Sequence, residues 1–426
     1  MKRFLISQML HEFRSNIWLI IELTIVSGVV CYLCYNIISV VQNLFAPAGI
    51  EYDNVYTLQM NIFSDDKDSA ANGSDNQNSI QTSAWRDRQD MMAKLRSNPH
   101  VEAVAFADNA NPFVLNFQGN ELLIEGQPDS ITYYANVRSA SPDIVRVLKL
   151  KTLTGLSTPE MENRLRRGEI LISPEQMHHL DDILDGGVRG LVGKNMFFKY
   201  DSLTYYKVGD YVRQIPRCSY EVHPGGMALF PIDEDKYPVS KYPHSLLVRV
   251  KDGESQQFVS DYNSDPALRS IRGAVLYDLQ PLEITRNLTD RDFDIQTRMY
   301  AAMLGFFLII IFLGLLGTFW LRVQQRSSEI ALRKVTGAKN SDIFRRLISE
   351  GSILLISGFL IGAAAFIVIF KKYIVEHVWV DLTPWSTCWV AIGVSYAVMQ
   401  LIVILGIWIP ARRAISIKPA IALRDE

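Results

Sequence analysis

Residues 300–350 read YAAMLGFFLIIIFLGLLGTFWLRVQQRSSEIALRKVTGAKNSDIFRRLISE. Tyr300 to Leu321 carries no charge. A bilayer core about 30 Å thick needs about 20 apolar residues at a rise of about 1.5 Å each, so this run is long enough to cross it. The next stretch, 322–350, has the opposite character. It holds Arg322, Arg326, Arg333, Lys334, Lys339, Arg345 and Arg346 against Glu329, Asp342 and Glu350. An uncharged run that ends in clustered cations is the pattern of a transmembrane helix entering the cytoplasm.

Three more apolar runs lie on either side: Trp18 to Phe45, interrupted by Glu22, and the uncharged Ile353 to Phe370 and Cys388 to Ile409. The chain therefore reads as an α-helical membrane protein with four transmembrane helices plus an α+β extracytoplasmic domain of two subdomains. The spans fall at 18–45, 298–321, 351–370 and 388–409. Between and around them lie a cytoplasmic N-terminal segment (1–17), the extracytoplasmic domain (46–297), a cytoplasmic loop (322–350), a short outer loop (371–387) and a cytoplasmic tail (410–426). The first run is too long for an upright span, so it tilts or projects beyond the bilayer. Its basic start (Lys2, Arg3, Arg14) and Ala46-Pro47-Ala48 imitate a cleaved leader. Its apolar core exceeds the roughly 7–15 residues of such signals, so it reads as an uncleaved anchor.

Charge supports this division. Residues 46–297 hold 26 Lys/Arg and 36 Asp/Glu, a net of −10, so the remainder nets +8 of the overall −2. The basic clusters at the N-terminus, in 322–350 and in the tail (Arg412, Arg413, Lys418, Arg424) place those three segments in the cytoplasm. Lys371 and Lys372 on the outer side are a mild exception. Glu22 lies near the cytoplasmic end of the first span, where it snorkels to the interface or pairs with a basic group. Cys31, Cys34 and Cys388 fall in spans, which leaves Cys218 alone in the outer domain and excludes an internal disulfide there.

Within 46–297, residues 64–83 are polar and read as a flexible loop. Trp85 to Arg96 has a helical look, with Trp85, Met92 and Leu95 on one face. Val101–Phe106 and Leu122–Ile124 read as strands, 142–150 as a helix with Pro142 in its first turn, and 169–172, 195–200, 204–212 and 245–250 as short β runs. Enzyme chemistry finds little support. Gly193-Lys194-Asn195 resembles the end of a phosphate-binding loop, but Val188 stands where that motif needs glycine, and Asn195 where it needs Ser or Thr. His178, His179, Asp181 and Asp182 read as a solvated cluster rather than a metal site. His223-Pro224-Gly225-Gly226 is a turn signal. The chain is read as a non-catalytic subunit that binds no cofactor and no metal.

The loop 322–350 continues the second span as a helix. Glu329 and Arg333 stand at i,i+4, and Gly337 fits a helix C-terminus. Asn340 or Ser341 then caps a new helix with Asp342 in its first turn. Ile343, Phe344, Leu347 and Ile348 share one face of that helix. A helix–glycine turn–helix unit between two spans suits either an amphipathic rest on anionic lipid or a coupling element for a cytoplasmic motor. In the third span Gly351, Gly358 and Gly362 fall on one face, and Gly358 with Gly362 permits close helix approach. That approach is made within the chain or between subunits. Gly314 and Gly317 pose the same choice in the second span.

Glu329-Ile330-Ala331-Leu332-Arg333-Lys334-Val335-Thr336-Gly337-Ala338 resembles a signature of the MacB/FtsX-type ABC transporter permeases. Pro410-Ala411-Arg412-Arg413-Ala414, with Pro419-Ala420 and Leu423-Arg424, is similar to their C-terminal motif. Asn98 to Val104, Ser141 to Leu150, Gly168 to Ser173 and Leu191 to Lys194 resemble landmarks of a MacB-like periplasmic core, in the right order. The resemblance implies a permease in the inner membrane, its large domain in the periplasm. It would serve an ATP-driven export or mechanotransmission complex, with Glu329, Ile330, Arg333, Lys334, Gly337, Ala338, Ile343, Phe344 and Leu347 coupling it to the motor. A familiar member fuses an ATPase to the permease; here the ATPase, with its ATP and Mg, is expected on a separate cytoplasmic subunit dimer. Further expected partners are a second permease copy or paralogue and membrane lipid; a periplasmic adaptor and outer-membrane channel stay open, and no nucleic acid is expected. Two alternatives are an FtsX-like regulator of a cell-wall hydrolase and a membrane sensor without a motor.

Overall fold

The computed structural model describes residues 13–45, 49–62, 75–115, 118–173, 184, 187–220, 226–233, 244–271, 274–375 and 385–416. They form two compact units, one centred on Asn43–Phe293, the other on the first helix and the chain from Asp294 onward.

In the second of these, four helices are long and apolar enough to cross a membrane. They are α1 (Phe13–Leu44), α7 (Leu282–Gln325), α9 (Asn340–Ile369) and α10 (Trp385–Ser416), with the short α8 (Ser327–Val335) between the middle two. Each turns one stripe inward at helical spacing. On α1, Leu19, Leu23, Val26, Val30 and Cys34 are buried, while Trp18, Ile21, Ile25 and Tyr32 are exposed. Exposed apolar residues suit a surface that meets lipid rather than water.

Helix boundaries differ from those read in the sequence. Helix α7 begins at Leu282, eighteen residues before the apolar run does. Helix α9 begins at Asn340, so the predicted amphipathic helix and the third span are one rod. A π-helical turn, Phe370–Val375, ends it.

Small residues set the helix approaches. A Cβ placed on Gly362 would lie 2.0 Å from Ser27 Oγ and 2.4 Å from the Thr24 carbonyl; one on Gly358 would lie 2.8 Å from Leu23 Cβ. These two glycines therefore seat α9 on α1. Gly351 faces elsewhere, with Ile407 Cδ1 of α10 2.2 Å from its virtual Cβ and Phe319 of α7 at 3.3 Å. The three glycines thus serve two helix pairs. Glu22 lies across α7, with its Oε1 3.0 Å from the virtual Cβ of Gly314, whereas Gly317 has nothing within 4 Å.

The other unit is built on eleven strands. Their ranges are β1 (Val55–Ile62), β2 (Val101–Asp108), β3 (Gly119–Ile124), β4 (Thr132–Ala140), β5 (Ile170–Ser173), β6 (Asn195–Phe198), β7 (Asp201–Tyr211), β8 (Gly226–Pro231), β9 (His244–Val250), β10 (Ser270–Ile271) and β11 (Ala274–Pro281). They join in the order β10-β11-β1-β9-β2-β4-β3-β6-β7-β5-β8. A parallel β4–β8 pairing closes the last six into a ring. The open part and the ring share one hydrogen-bonded sheet through Ala107↔Ala140 and Asp108↔Ser139.

Helices α2 (Asp75–Ser97), α3 (Ile144–Leu148), α4 (Thr158–Arg166), α5 (Ser255–Ser264) and α6 (Pro266–Arg269) accompany the strands. Strand β2 is covered on both faces. Ala103, Ala105 and Ala107 pack with α3 and α4 residues, and Val104 and Phe106 with Met91, Met92 and Leu95 of α2. A register shift between Val101 and Ala103 puts Val101 on the second face despite its odd number, as an extra residue in a strand must.

Two expectations are corrected here. Residues 75–83 of the predicted flexible loop belong to α2, whose C-terminal half is anchored in the core by Met91, Met92 and Leu95. The remaining residues, 64–74, lie outside the described set, as do His178, His179, Asp181, Asp182 and His223 to Gly225. The helix near 142–150 is shorter, Ile144–Leu148, with Pro142 ahead of it and Lys149 closing it at φ 44°.

Candidate coupling site

Between the second and third long helices the backbone turns twice. The first break is at Arg326, whose φ of −108° and ψ of 21° leave the helical region. The ladder survives it, since Arg326 N–H donates to the Arg322 carbonyl and Ile330 N–H to the Arg326 carbonyl, both at 3.0 Å. Helix α8 is therefore a separate segment hinged on α7, where a continuous helix was expected.

The second turn follows Val335. Gly337 N–H donates to the Lys334 carbonyl at 3.1 Å and Ala338 N–H to the Arg333 carbonyl at 2.9 Å. This paired closure satisfies carbonyls that a helix end leaves bare, and it needs a left-handed residue. Gly337 supplies it at φ 96°. The cap of α9 differs from the expected Asn340 or Ser341. Lys339 is the N-cap, and Asp342 reaches back to accept its backbone N–H at 3.1 Å.

Charged side chains tie the hairpin together. Arg333 donates to Glu329 at 2.6 Å, and Arg346 of α9 comes within 3.7 Å of the same carboxylate. Glu350 is buried and shared by Arg326 at 3.5 Å and Arg346 at 3.3 Å. Lys334 donates to the Ile415 carbonyl at the end of α10. Arg413 stacks 4.2 Å from the Trp320 ring centroid and Arg412 4.8 Å from that of Trp408. The C-terminal motif residues Arg412 and Arg413 thus lie on the same helical unit as the hairpin, with Pro410 inside α10; Pro419 lies outside the described residues.

The residues singled out in the sequence divide into two groups. Ile330, Ile343 and Leu347 are 8, 6 and 9% exposed, and Phe344 packs against the same core. They hold the hairpin onto the long helices; Ile330, Ile343 and Leu347 present almost no surface, and Phe344 is half-buried. Glu329, Arg333, Lys334 and Ala338 are its ties and turn. The large apolar groups that α8 does present are Leu332 and Val335, 55 and 62% exposed. The sequence reading missed both. Helix α8 is apolar at 330, 331, 332 and 335, so no period within nine residues says which side chains are covered.

A groove of about 1030 Å³ opens between α8, the end of α7 and the start of α9. Arg322, Arg326, Arg333, Arg345 and Arg346 line it together with Glu329, Asp342 and Glu350. Among the described residues no group of three His, Cys, Asp or Glu is placed to hold a metal.

Residues 301–419 match the family described as FtsX-like permease C-terminal. This segment is thus similar to the C-terminal part of FtsX-like permeases. It is 25% identical over 205 residues to the macrolide export ATP-binding/permease protein MacB of Chlorobium luteolum, covering 47% of this chain and 30% of that protein. It is 22% identical over 192 residues to the pyoverdine export ATP-binding/permease protein PvdT of Pseudomonas savastanoi pv. phaseolicola, covering 44% and 28%. The chain thus spans less than a third of the length of these relatives. The periplasmic region of MacB from Actinobacillus actinomycetemcomitans aligns over 58% of this chain and 98% of its own, at 12% identity and a TM-score of 0.31.

Proposed function

We propose that this chain is the membrane subunit of an ATP-driven exporter or mechanotransmission complex, moved by an ABC ATPase. The observation that carries the reading is the hinged α8. It is a short rigid segment set off by the break at Arg326 and the closure at Gly337, with Leu332 and Val335 turned outward. A partner that pushes on such a segment would move it as one body about its two ends.

In this reading the hairpin, the N-terminal segment and the tail face the cytoplasm, and the Asn43–Phe293 unit lies in the periplasm. ATP and Mg sit on the ATPase dimer. Helix α7 is one unbroken rod of 44 residues whose first turns belong to the sheet-bearing unit. Arg286 there donates to Tyr52 Oη at 2.6 Å, and Ser219 N–H donates to Asp290 at 2.8 Å. Movement at α8 would thus be felt at residues that hold the outer domain. Substrate would be handled outside the membrane, since the spans carry few ionisable groups.

A second copy of the permease, or a paralogue, completes the complex. Leu288, Ile295, Met299, Phe306, Ile309 and Leu313 of α7 are all exposed, and they recur at the 3.5-residue average of a helix-pairing seam.

The test is co-purification and ATPase stimulation. Full-length chain reconstituted with its ABC ATPase should raise ATP turnover, and Gly337→Pro or Glu329→Lys should abolish the rise. Unchanged stimulation in both variants would sink the coupling role.

A further inference from the structure

We infer that the groove between α7, α8 and α9 is a binding site for one anionic phospholipid, with its phosphate held by arginines and its acyl chains on α9. The inference rests on the placement of these helices across a membrane. The groove's lining carries five arginines and three acids, a surplus of two positive charges. All three acids are already engaged within the hairpin: Glu329 by Arg333 and Arg346, Glu350 by Arg326 and Arg346, and Asp342 by the Lys339 N–H. Arg345 stands outside these pairs and is exposed. The lining therefore carries a net positive charge, with Arg345 its exposed cation.

The second observation is the gradient along α9. Arg345, Ser349, Ile353 and Ile356 line the groove and follow one another at spacings of four, four and three, on one face of the helix. That face is charged at one end and apolar at the other, with about 16 Å between Arg345 and Ile356 at 1.5 Å per residue. Ile353 lies three residues past Glu350, the last charge before the span. A free phosphate would leave the apolar end unused. A peptide strand laid along the same path would carry backbone N–H and C=O groups into hydrocarbon without partners. A phospholipid matches both ends, and basic pockets between spans on the cytoplasmic side suit anionic head groups. Guanidinium forks bind phosphate oxygens in pairs, which favours arginine in such a site.

The test uses the full chain in detergent, offered phosphatidylglycerol and phosphatidylcholine of identical acyl chains in equal amounts, with retained lipid counted by native mass spectrometry. Preferential retention of phosphatidylglycerol is expected. Arg345→Gln should weaken that preference about fivefold, the share of one cation near an anionic head group. Arg345 is exposed, so this variant keeps the fold; unchanged α-helical circular dichroism checks that. The preference should survive excess inorganic phosphate, and Ile356→Ser should reduce retention of both lipids. Equal retention of the two lipids by the unaltered chain would overturn the site. So would loss of the preference to phosphate, which marks a free-anion pocket. The ATPase reading is scored separately by co-purification, which Arg345→Gln should leave intact. If that variant lost the ATPase while keeping the lipid preference, the groove would be a protein-docking surface and the lipid site would fall.

Discussion

The sheet-bearing unit and the α7–α8–α9 hairpin both bury charge, and they bury it in opposite ways. In the sheet-bearing unit Arg249, 2% exposed, donates to main-chain carbonyls of Val147 at 2.6 Å and Asp53 at 3.1 Å, and to that of Glu51. One side chain there staples β9 to α3 and to the segment leading into β1. Its partners are backbone, so the staple yields only if the fold does. In the hairpin, Glu350 and Glu329 are shared among Arg326, Arg333 and Arg346, whose side chains keep 22–37% of their surface in solvent. Such ties can be exchanged one for another without unmaking backbone structure, and water screens them. The first arrangement suits a body that must keep its shape; the second suits a joint.

This contrast can be broken most decisively at Arg249. Arg249→Ala takes a buried donor away from three main-chain carbonyls, of which that of Val147 is buried, and should cost about 3 kcal/mol. Hydrogen exchange of the β9 amides in the full chain should then run about a hundredfold faster. A rate within twofold of the unaltered protein would mean the staple is not structural.

Next come the glycines that seat α9. Gly362→Ala places a Cβ where Ser27 and the Thr24 carbonyl already sit, and should cost about 1–3 kcal/mol, read as a fall in the thermal midpoint in detergent. Gly317→Ala, with open space around it, should be neutral or stabilising by up to about 1 kcal/mol. Equal effects from the two would show that the α1–α9 approach is not tight.

Glu350→Gln removes the shared acceptor from the joint. A loss of about 1–2 kcal/mol is expected, less than for a fully desolvated pair because both arginines remain part-exposed. The same midpoint measurement reads it, and ATPase stimulation should fall with it. The smallest stability change is expected from Leu332→Ser with Val335→Ser, within about 0.5 kcal/mol, as for exposed positions generally. ATPase stimulation should nevertheless be lost. If stability fell and stimulation did not, these side chains would be internal supports and α8 would have no docking face.

Much of the membrane half could be read in advance. Uncharged runs such as Tyr300–Leu321 need no tertiary information, because the solvent alone decides where they go. Gly337 was legible for a similar reason, since a left-handed closure excludes most other residues. What escaped was relational. Residues 282–297 are polar on most faces, so nothing in them announced that α7 starts there; the ties from Arg286 and Asp290 to Tyr52 and Ser219 hold it. The strands at Val55–Ile62, Thr132–Ala140, Gly226–Pro231 and Ala274–Pro281 were not read as strands. Pairings such as the parallel Ala135↔Gly226 join residues far apart in the chain, and short apolar runs do not reveal their partners.

By itself, then, the sequence determined the four apolar helices, the charge division around them and the glycine turn between the middle two. Each of these follows from the free energy of a local segment in its solvent or from backbone sterics at one residue. Only the tertiary structure decided that Gly358 and Gly362 serve α1 while Gly351 serves α10. It alone turned Ile330 inward and Leu332 outward, and closed six strands into a ring. Those outcomes depend on which surfaces meet, and a surface's partner is not written in its own residues.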